Sequence, residues 1–172
     1  MTSSTDTTDS LQALQRGIGY QFNDQNLLQQ ALTHKSHSKP NNERLEFMGD
    51  AVLGYLVGNM LYRHYPHVQE DSLSLMRAQL VRGKTLAQVA MRMDLAQYLK
   101  LGSGEIRSGG RQRASILADA LEAKGDFYEG KTASNSNARR FRNLLSGHVM
   151  SCARLLDSRP WQTFVRTSTT SE

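Results

Sequence analysis

The stretch Asn41-Asn42-Glu43-Arg44-Leu45-Glu46-Phe47-Met48-Gly49-Asp50-Ala51-Val52-Leu53-Gly54 constrains this chain more than any other. It sets Glu43, Glu46 and Asp50 at i, i+3 and i+7. At about 100° per residue, the three carboxylates lie within roughly 60° of one another on a helix. The helix predicted from about Asn42 to Tyr62 carries an apolar stripe of Leu45, Met48, Val52 and Leu56. Leu53 and Val57 fall near the acidic face. A helix that is apolar on most sides is a buried one. Gly49, Gly54 and Gly58 thin its surface, and a helix-interior glycine costs about 0.8–1 kcal/mol relative to alanine. Three of them make sense where another helix packs very close.

A single acid is ordinarily a solvated surface residue, and that reading suits Glu43 well. It suits Glu46 and Asp50 less, because a charge on a buried helix needs a partner or a metal. Arg44 points elsewhere round the helix and cannot neutralise the set. A second pair, Asp119 and Glu122, sits far downstream at helical spacing. Acidic oxygens without His or Cys suit hard cations such as Mg²⁺. Two such ions about 3.5–4 Å apart can activate water and stabilise the leaving oxygen of a phosphodiester. The two acidic sets are therefore expected to meet and hold divalent metal for phosphoryl chemistry. Glu70 is a weaker candidate, since an acid at a helix start is favourable in itself.

The remaining chain reads as helices. Residues 1–9 are expected to be a disordered lead. Asp9 or Ser10 caps a first helix that ends at Gly17, and Asn23 or Asp24 caps a second through Leu27, Leu28, Ala31 and Leu32. Glu70-Asp71-Ser72 opens a helix whose core face is Leu73, Met76, Leu80 and Val81, with Arg77, Arg82 and Lys84 on a basic face. Thr85 to Met93 continues helical, and Asp94 to Leu99 is a short apolar element. Leu101 to Arg113 is a Gly-rich basic loop, and the helix bearing Asp119 and Glu122 begins near Ser115. No strand signal of any length appears, so the fold class is all-α.

Charge points the same way without deciding it. The chain of 172 residues has a formal charge of +5. Residues 1–123 carry 13 basic and 12 acidic residues, against 8 and 4 in 124–172, so the excess lies in the last third. A basic balance permits a polyanionic partner but does not demand one. Cys152 is the single cysteine, which excludes an intrachain disulfide. Nothing reads as a secretory signal or a membrane span, so a cytoplasmic protein that does not engage a membrane is the default expectation.

The opening stretch closely resembles the signature of the ribonuclease III family, with Met48 where leucine is usual. The resemblance extends over about Leu11 to Ala123. It takes in Leu32-Thr33-His34-Lys35-Ser36, Met76-Arg77-Ala78-Gln79-Leu80-Val81, Leu101-Gly102-Ser103-Gly104-Glu105 and Ser115-Ile116-Leu117-Ala118-Asp119-Ala120-Leu121-Glu122-Ala123. It implies an all-α ribonuclease III-like endonuclease domain over residues 10–130 that forms a symmetric homodimer. It implies an endoribonuclease that hydrolyses double-stranded RNA with Mg²⁺, or Mn²⁺ in its place, and uses no organic cofactor. The implied products carry 5′-phosphate and 3′-hydroxyl ends, and the implied work is rRNA and mRNA processing. Glu46, Asp50, Asp119 and Glu122 fall on the family's metal-binding carboxylates, with Asp50 and Glu122 catalytic. Glu43 and Glu70 fall on accessory acids, and Phe47 on an aromatic that inserts into the partner subunit. Arg107, Arg111 and Arg113 are the candidates for RNA phosphate contact, whereas His34 and Lys35 are expected to serve packing or a structural polar contact.

The pattern breaks after Ala123. Lys124-Gly125-Asp126 replaces the apolar run that the resemblance leads one to expect, and could shorten or bend the helix presenting Glu122. Residues 131–172 read as an atypical basic tail, with one amphipathic helix over 138–156, and do not resemble the family's double-stranded-RNA-binding domain. Two accounts of that tail stay open, a natural minimal form and a truncated or frame-shifted one. The alternative function is a non-cleaving homologue, damaged after Ala123, that binds double-stranded RNA or pairs with a partner.

Overall fold

The computed structural model describes residues 4–18, 21–22 and 24–125. The helix expected over 138–156 and the rest of the tail lie outside the described residues. Among the described residues the regular structure is all helical, and the only β feature is an isolated parallel bridge between Thr33 and Lys100.

α1 (Ser4–Ile18) anchors Leu11, Leu14 and Ile18 in the core. It begins at Ser4, so most of the stretch expected as a disordered lead is helical. Extending an anchored helix costs far less than nucleating one. The buried Gln15 ties the turn to the next helix, its Oε1 accepting from the Phe22 amide at 2.7 Å. α2 (Gln25–Ala31) is capped by Asp24, whose Oδ1 accepts from the amides of Asn26 and Leu27 at 2.8 and 3.1 Å. Such a cap satisfies amides that the first turn leaves without a partner.

α3 (Glu43–His64) runs 22 residues, about 33 Å. It buries Leu45, Gly49, Val52, Leu53, Val57 and Leu61. The expected stripe is thus rotated: Met48 is exposed and Leu56 only half-buried. The rotation follows from Gly49, where α7 (Ala114–Gly125) crosses so close that a Cβ would overlap the Glu122 carbonyl. Hydrophobic patterning favours Met48 over its glycine neighbour, but only the glycine lets the two backbones meet. The close-packing role expected for all three glycines holds at Gly49 alone. Gly58 lies beside the Arg77 side chain, and a Cβ on Gly54 would meet nothing within 4 Å.

α4 (Glu70–Val81) and α5 (Gly83–Arg92) are separate helices, broken by extended backbone at Arg82 with ψ 146°. α5 buries Leu86, Ala87, Val89 and Ala90 and packs against α7. A 3-10 turn follows over Leu95–Tyr98. The segment expected as a Gly-rich loop is largely helical, with α6 (Ser103–Arg107) and a 3-10 turn at Gly110–Gln112. α7 buries Ile116, Leu117, Ala118, Ala120, Leu121 and Ala123, so it is enclosed on almost every side. Its alanines let both α3 and α5 approach it. The helix continues through Lys124 to Gly125, so the feared break directly after Glu122 is not there.

Candidate metal centre

The α3–α7 crossing sets the site. Gly49 fixes where the two backbones touch, at Glu122. On α3, Glu46 lies one turn before that point. On α7, Asp119 lies one turn before Glu122. Carboxylate oxygens of Glu46, Asp119 and Glu122 consequently come within 4.8 Å of one another. Sequence spacing brought Glu46 onto the acidic face, and the crossing brings the other two carboxylates to it. Asp50 stands outside that tight set and is exposed at its rim. Its charge still raises the pKa of both Glu122 and Glu46.

The remaining acids do not join the cluster. Glu43 is exposed and paired with Lys35, Nζ to Oε1 at 3.2 Å, and also accepts from Asn41 Nδ2 at 3.4 Å. The Lys35 bond and charge hold its carboxyl below the usual range. Glu70, at the start of α4, is likewise exposed and accepts from Ser74 Oγ at 2.7 Å, which lowers its pKa. Neither is placed as a ligand in this subunit.

The cluster is electrostatically self-opposed. Burial, then the charges of Asp50, Asp119 and Glu46, push Glu122 up to about 7. Burial and Asp119 raise Glu46, and burial raises Asp119 against the pull of His34 and Lys35. Half-buried oxygens that repel one another, with no imidazole or thiolate among them, fit a hard divalent cation. The residues present therefore suit Mg²⁺ or Mn²⁺.

A pH dependence follows. The ordinary value for Glu122 is 4.5, and its folded value is about 7. The folded chain thus keeps a proton that the unfolded chain has released. Without cation, this contribution to stability is complete below the unfolded value and is lost as pH rises through the folded one, by up to about 3 kcal/mol. Glu43 and Glu70 are shifted the other way and finish titrating at lower pH. In chelator, the melting temperature is expected to fall between pH 5 and pH 8, and Mg²⁺ should restore it at pH 8. A melting temperature that rises across that interval in chelator contradicts the picture.

The candidate phosphate contacts fare unequally. Arg111 is half-buried, and its Nη1 donates to the carbonyls of Ala96 and Gln97 at 2.6 and 3.3 Å. It clamps one 3-10 turn to the other. Arg113 bonds Glu105 at 2.8 Å and donates to Ser108 Oγ at 3.1 Å. Both guanidinium groups make contacts that tie parts of the fold together. Sequence could not show this, because a carbonyl acceptor leaves no trace in side-chain identity. Arg107 is exposed, with Nε donating to the Ser103 carbonyl at 3.3 Å.

His34 does make the structural contacts expected of it. Its amide donates to the Lys100 carbonyl at 3.0 Å, and its ring Nδ1 lies 2.8 Å from Ser36 Oγ. Lys35 makes a polar contact, with Glu43, and is exposed beside the acids. The available signal was its place next to a buried residue, which turns its side chain outward.

Comparison with known proteins agrees with this arrangement. A family model described as Ribonuclease-III-like matches residues 24–137. Ribonuclease 3 of Buchnera aphidicola subsp. Acyrthosiphon pisum (strain APS) is 54% identical over 110 residues, 64% of this chain and 49% of that protein. The chain thus spans about half the length of the curated relatives it matches. The nuclease domain of ribonuclease III from Campylobacter jejuni superposes with a TM-score of 0.69 at 37% identity, covering 80% of this chain and 92% of that one. Dicer from Pichia stipitis gives a TM-score of 0.60 at 26% identity, covering 80% of this chain and 59% of that one. Two acid-bearing helices crossed at a glycine, within a fold and sequence shared with these nucleases, mark the chain as a member of the ribonuclease III-like family.

Proposed function

We propose that this chain is a divalent-metal-dependent endoribonuclease that hydrolyses phosphodiester bonds of double-stranded RNA, leaving 5′-phosphate and 3′-hydroxyl ends. The observation that carries the reading is the convergence of Glu46, Asp119 and Glu122 at the α3–α7 crossing, inside a ribonuclease III-like fold. Those three residues would hold the cation, with Asp50 completing the shell from the rim. A cation bound there supplies Lewis-acid activation of water and charge stabilisation at the scissile phosphate. The chain's own part is to set the carboxylates and to keep Glu122 deprotonated once positive charge offsets its neighbours.

Recognition would rest on A-form shape, phosphates and 2′-hydroxyls, because side chains cannot read the deep major groove of RNA. Structured rRNA and mRNA precursors are substrates of that kind, and cytoplasmic processing of them is the work this reading assigns. No described helix is long and apolar enough to cross a membrane. The local distortion that spoke for a non-cleaving homologue is not seen, since α7 carries both acids in one unbroken helix.

A homodimer completes this reading. Phe47, Tyr55 and Tyr62 are 78%, 62% and 73% exposed and share one face of α3 with Met48. So many large apolar groups on one helix face mark an interaction surface. Phe47→Ser should weaken self-association at least about tenfold, in line with the loss of an aromatic anchor, as read by analytical ultracentrifugation. An unchanged dimer constant would remove Phe47 from the interface.

The activity itself is tested by incubating labelled duplex RNA with the chain in low salt, with Mg²⁺, Mn²⁺ or chelator. Cutting of duplex but not single strand, only with metal, is expected. Absence of cutting under every metal condition would refute the enzyme.

A further inference from the structure

The acid cluster poses a problem for an anionic substrate. At least three carboxylates and the approaching phosphates repel one another, so positive charge from the protein is valuable beside them. Arg111 and Arg113 are committed to Ala96, Gln97, Glu105 and Ser108. Lys35 is placed differently. Its Nζ lies 3.2 Å from Oε1 of Glu43, one turn of α3 before Glu46.

The backbone that carries Lys35 is firmly held. The His34 amide donates to the Lys100 carbonyl at 3.0 Å, and the Lys100 amide donates to the Leu32 carbonyl at 2.9 Å. One residue beyond Lys35, Ser36 Oγ accepts from the Gly102 amide at 2.9 Å. The Asn42 amide closes the loop on the Thr33 carbonyl at 2.9 Å, at the start of α3. A buried His34 on one side and a tethered Ser36 on the other leave Lys35 facing outward on a fixed base. Its side chain is 63% exposed and that of its partner Glu43 53%. An ion pair between such exposed groups is worth little, so it exchanges readily for a better one. A duplex backbone offers a dense row of phosphates suited to a lysine point charge, and binding one also releases condensed counterions.

We propose that Lys35 is a phosphate-positioning residue, resting on Glu43 in the free protein and transferring to an RNA backbone phosphate beside the acid cluster when duplex binds. The proposal rests on the nuclease reading and adds a residue to its substrate contacts. Glu43 then acts as the counter-ion that parks Lys35 next to the site.

The test measures duplex RNA affinity of the full chain, Lys35→Ala and Lys35→Arg with Ca²⁺ in place of Mg²⁺, so that binding is read apart from cutting. Salt is varied over about 50 to 200 mM. Lys35→Ala should bind about tenfold more weakly, and the slope of log affinity against log salt should shrink by about one per protomer. Lys35→Arg should restore both, and thermal melts should be unchanged. Weaker binding with an unaltered salt slope would mean a structural role and overturn the proposal. So would wild-type affinity in Lys35→Ala while the parent chain binds and cuts duplex, and that outcome would leave the nuclease reading intact. A parent chain that binds no duplex at the lowest salt would overturn both.

Discussion

Glu122→Ala should abolish duplex cutting while duplex binding persists. The expected loss is on the order of 10³ in rate, about 4 kcal/mol of barrier. Glu122 belongs to the tight oxygen set with Glu46 and Asp119, and it carries the most perturbed carboxyl of the three. Its removal takes away one of three converging carboxylates, which the remaining two acids cannot replace. The same change relieves the crowding of like charge, so Glu122→Gln in chelator at pH 8 should melt at a higher temperature than the parent. Lower activity together with higher cation-free stability is the signature of a group held against its own preference for the sake of function. A single-turnover cutting assay and a thermal melt read the two effects. Cutting that survives Glu122→Ala with metal still required would sink the assignment.

Gly49→Ala should be the most damaging single-methyl change in the described chain. A Cβ at this position would overlap the Glu122 carbonyl, which belongs to a backbone enclosed by α3 and α5 and has no flexible end to swing away. Overpacking ordinarily costs about 1–3 kcal/mol, and a backbone obstacle in a central helix belongs at the top of that range. The helices must part, and parting them separates Glu46 from Asp119 and Glu122, so stability and cutting fall together. Gly54→Ala is the internal control. It lies on the same helix with nothing within 4 Å of the added atom, and it should gain up to about 1 kcal/mol from helix propensity. Equal melting temperatures for the two variants would show that the crossing is not tight.

The constellation of acids was legible because helical spacing is a one-dimensional signal. Glu46 and Asp50 on one face, and Asp119 with Glu122 on another, follow from 3.6 residues per turn. The all-α class was legible for the same reason. The rotation of α3 was not, because the core selected Gly49 for closeness rather than Met48 for hydrophobicity. The intramolecular partners of Arg111 and Arg113 were hidden as well. Their acceptors are set by the path of the chain through 3-10 turns that a Gly-rich stretch does not announce. Lys35 was read only as a structural contact, because what sets it apart is its surroundings in space, namely acids 8, 11 and 84 positions away (Glu43, Glu46 and Asp119).

The α3–α7 crossing also sets when the site can exist. Glu46 and Asp119 are separated by 73 positions, from 119 − 46. At about 5–20 residues per second, ribosomes need roughly 4–15 s to pass from one to the other. During that interval α3 has no α7 to cover Gly49, and its acids have nothing to complete them. The tight set of carboxylate oxygens therefore assembles in one step, only after α7 has been made and docked.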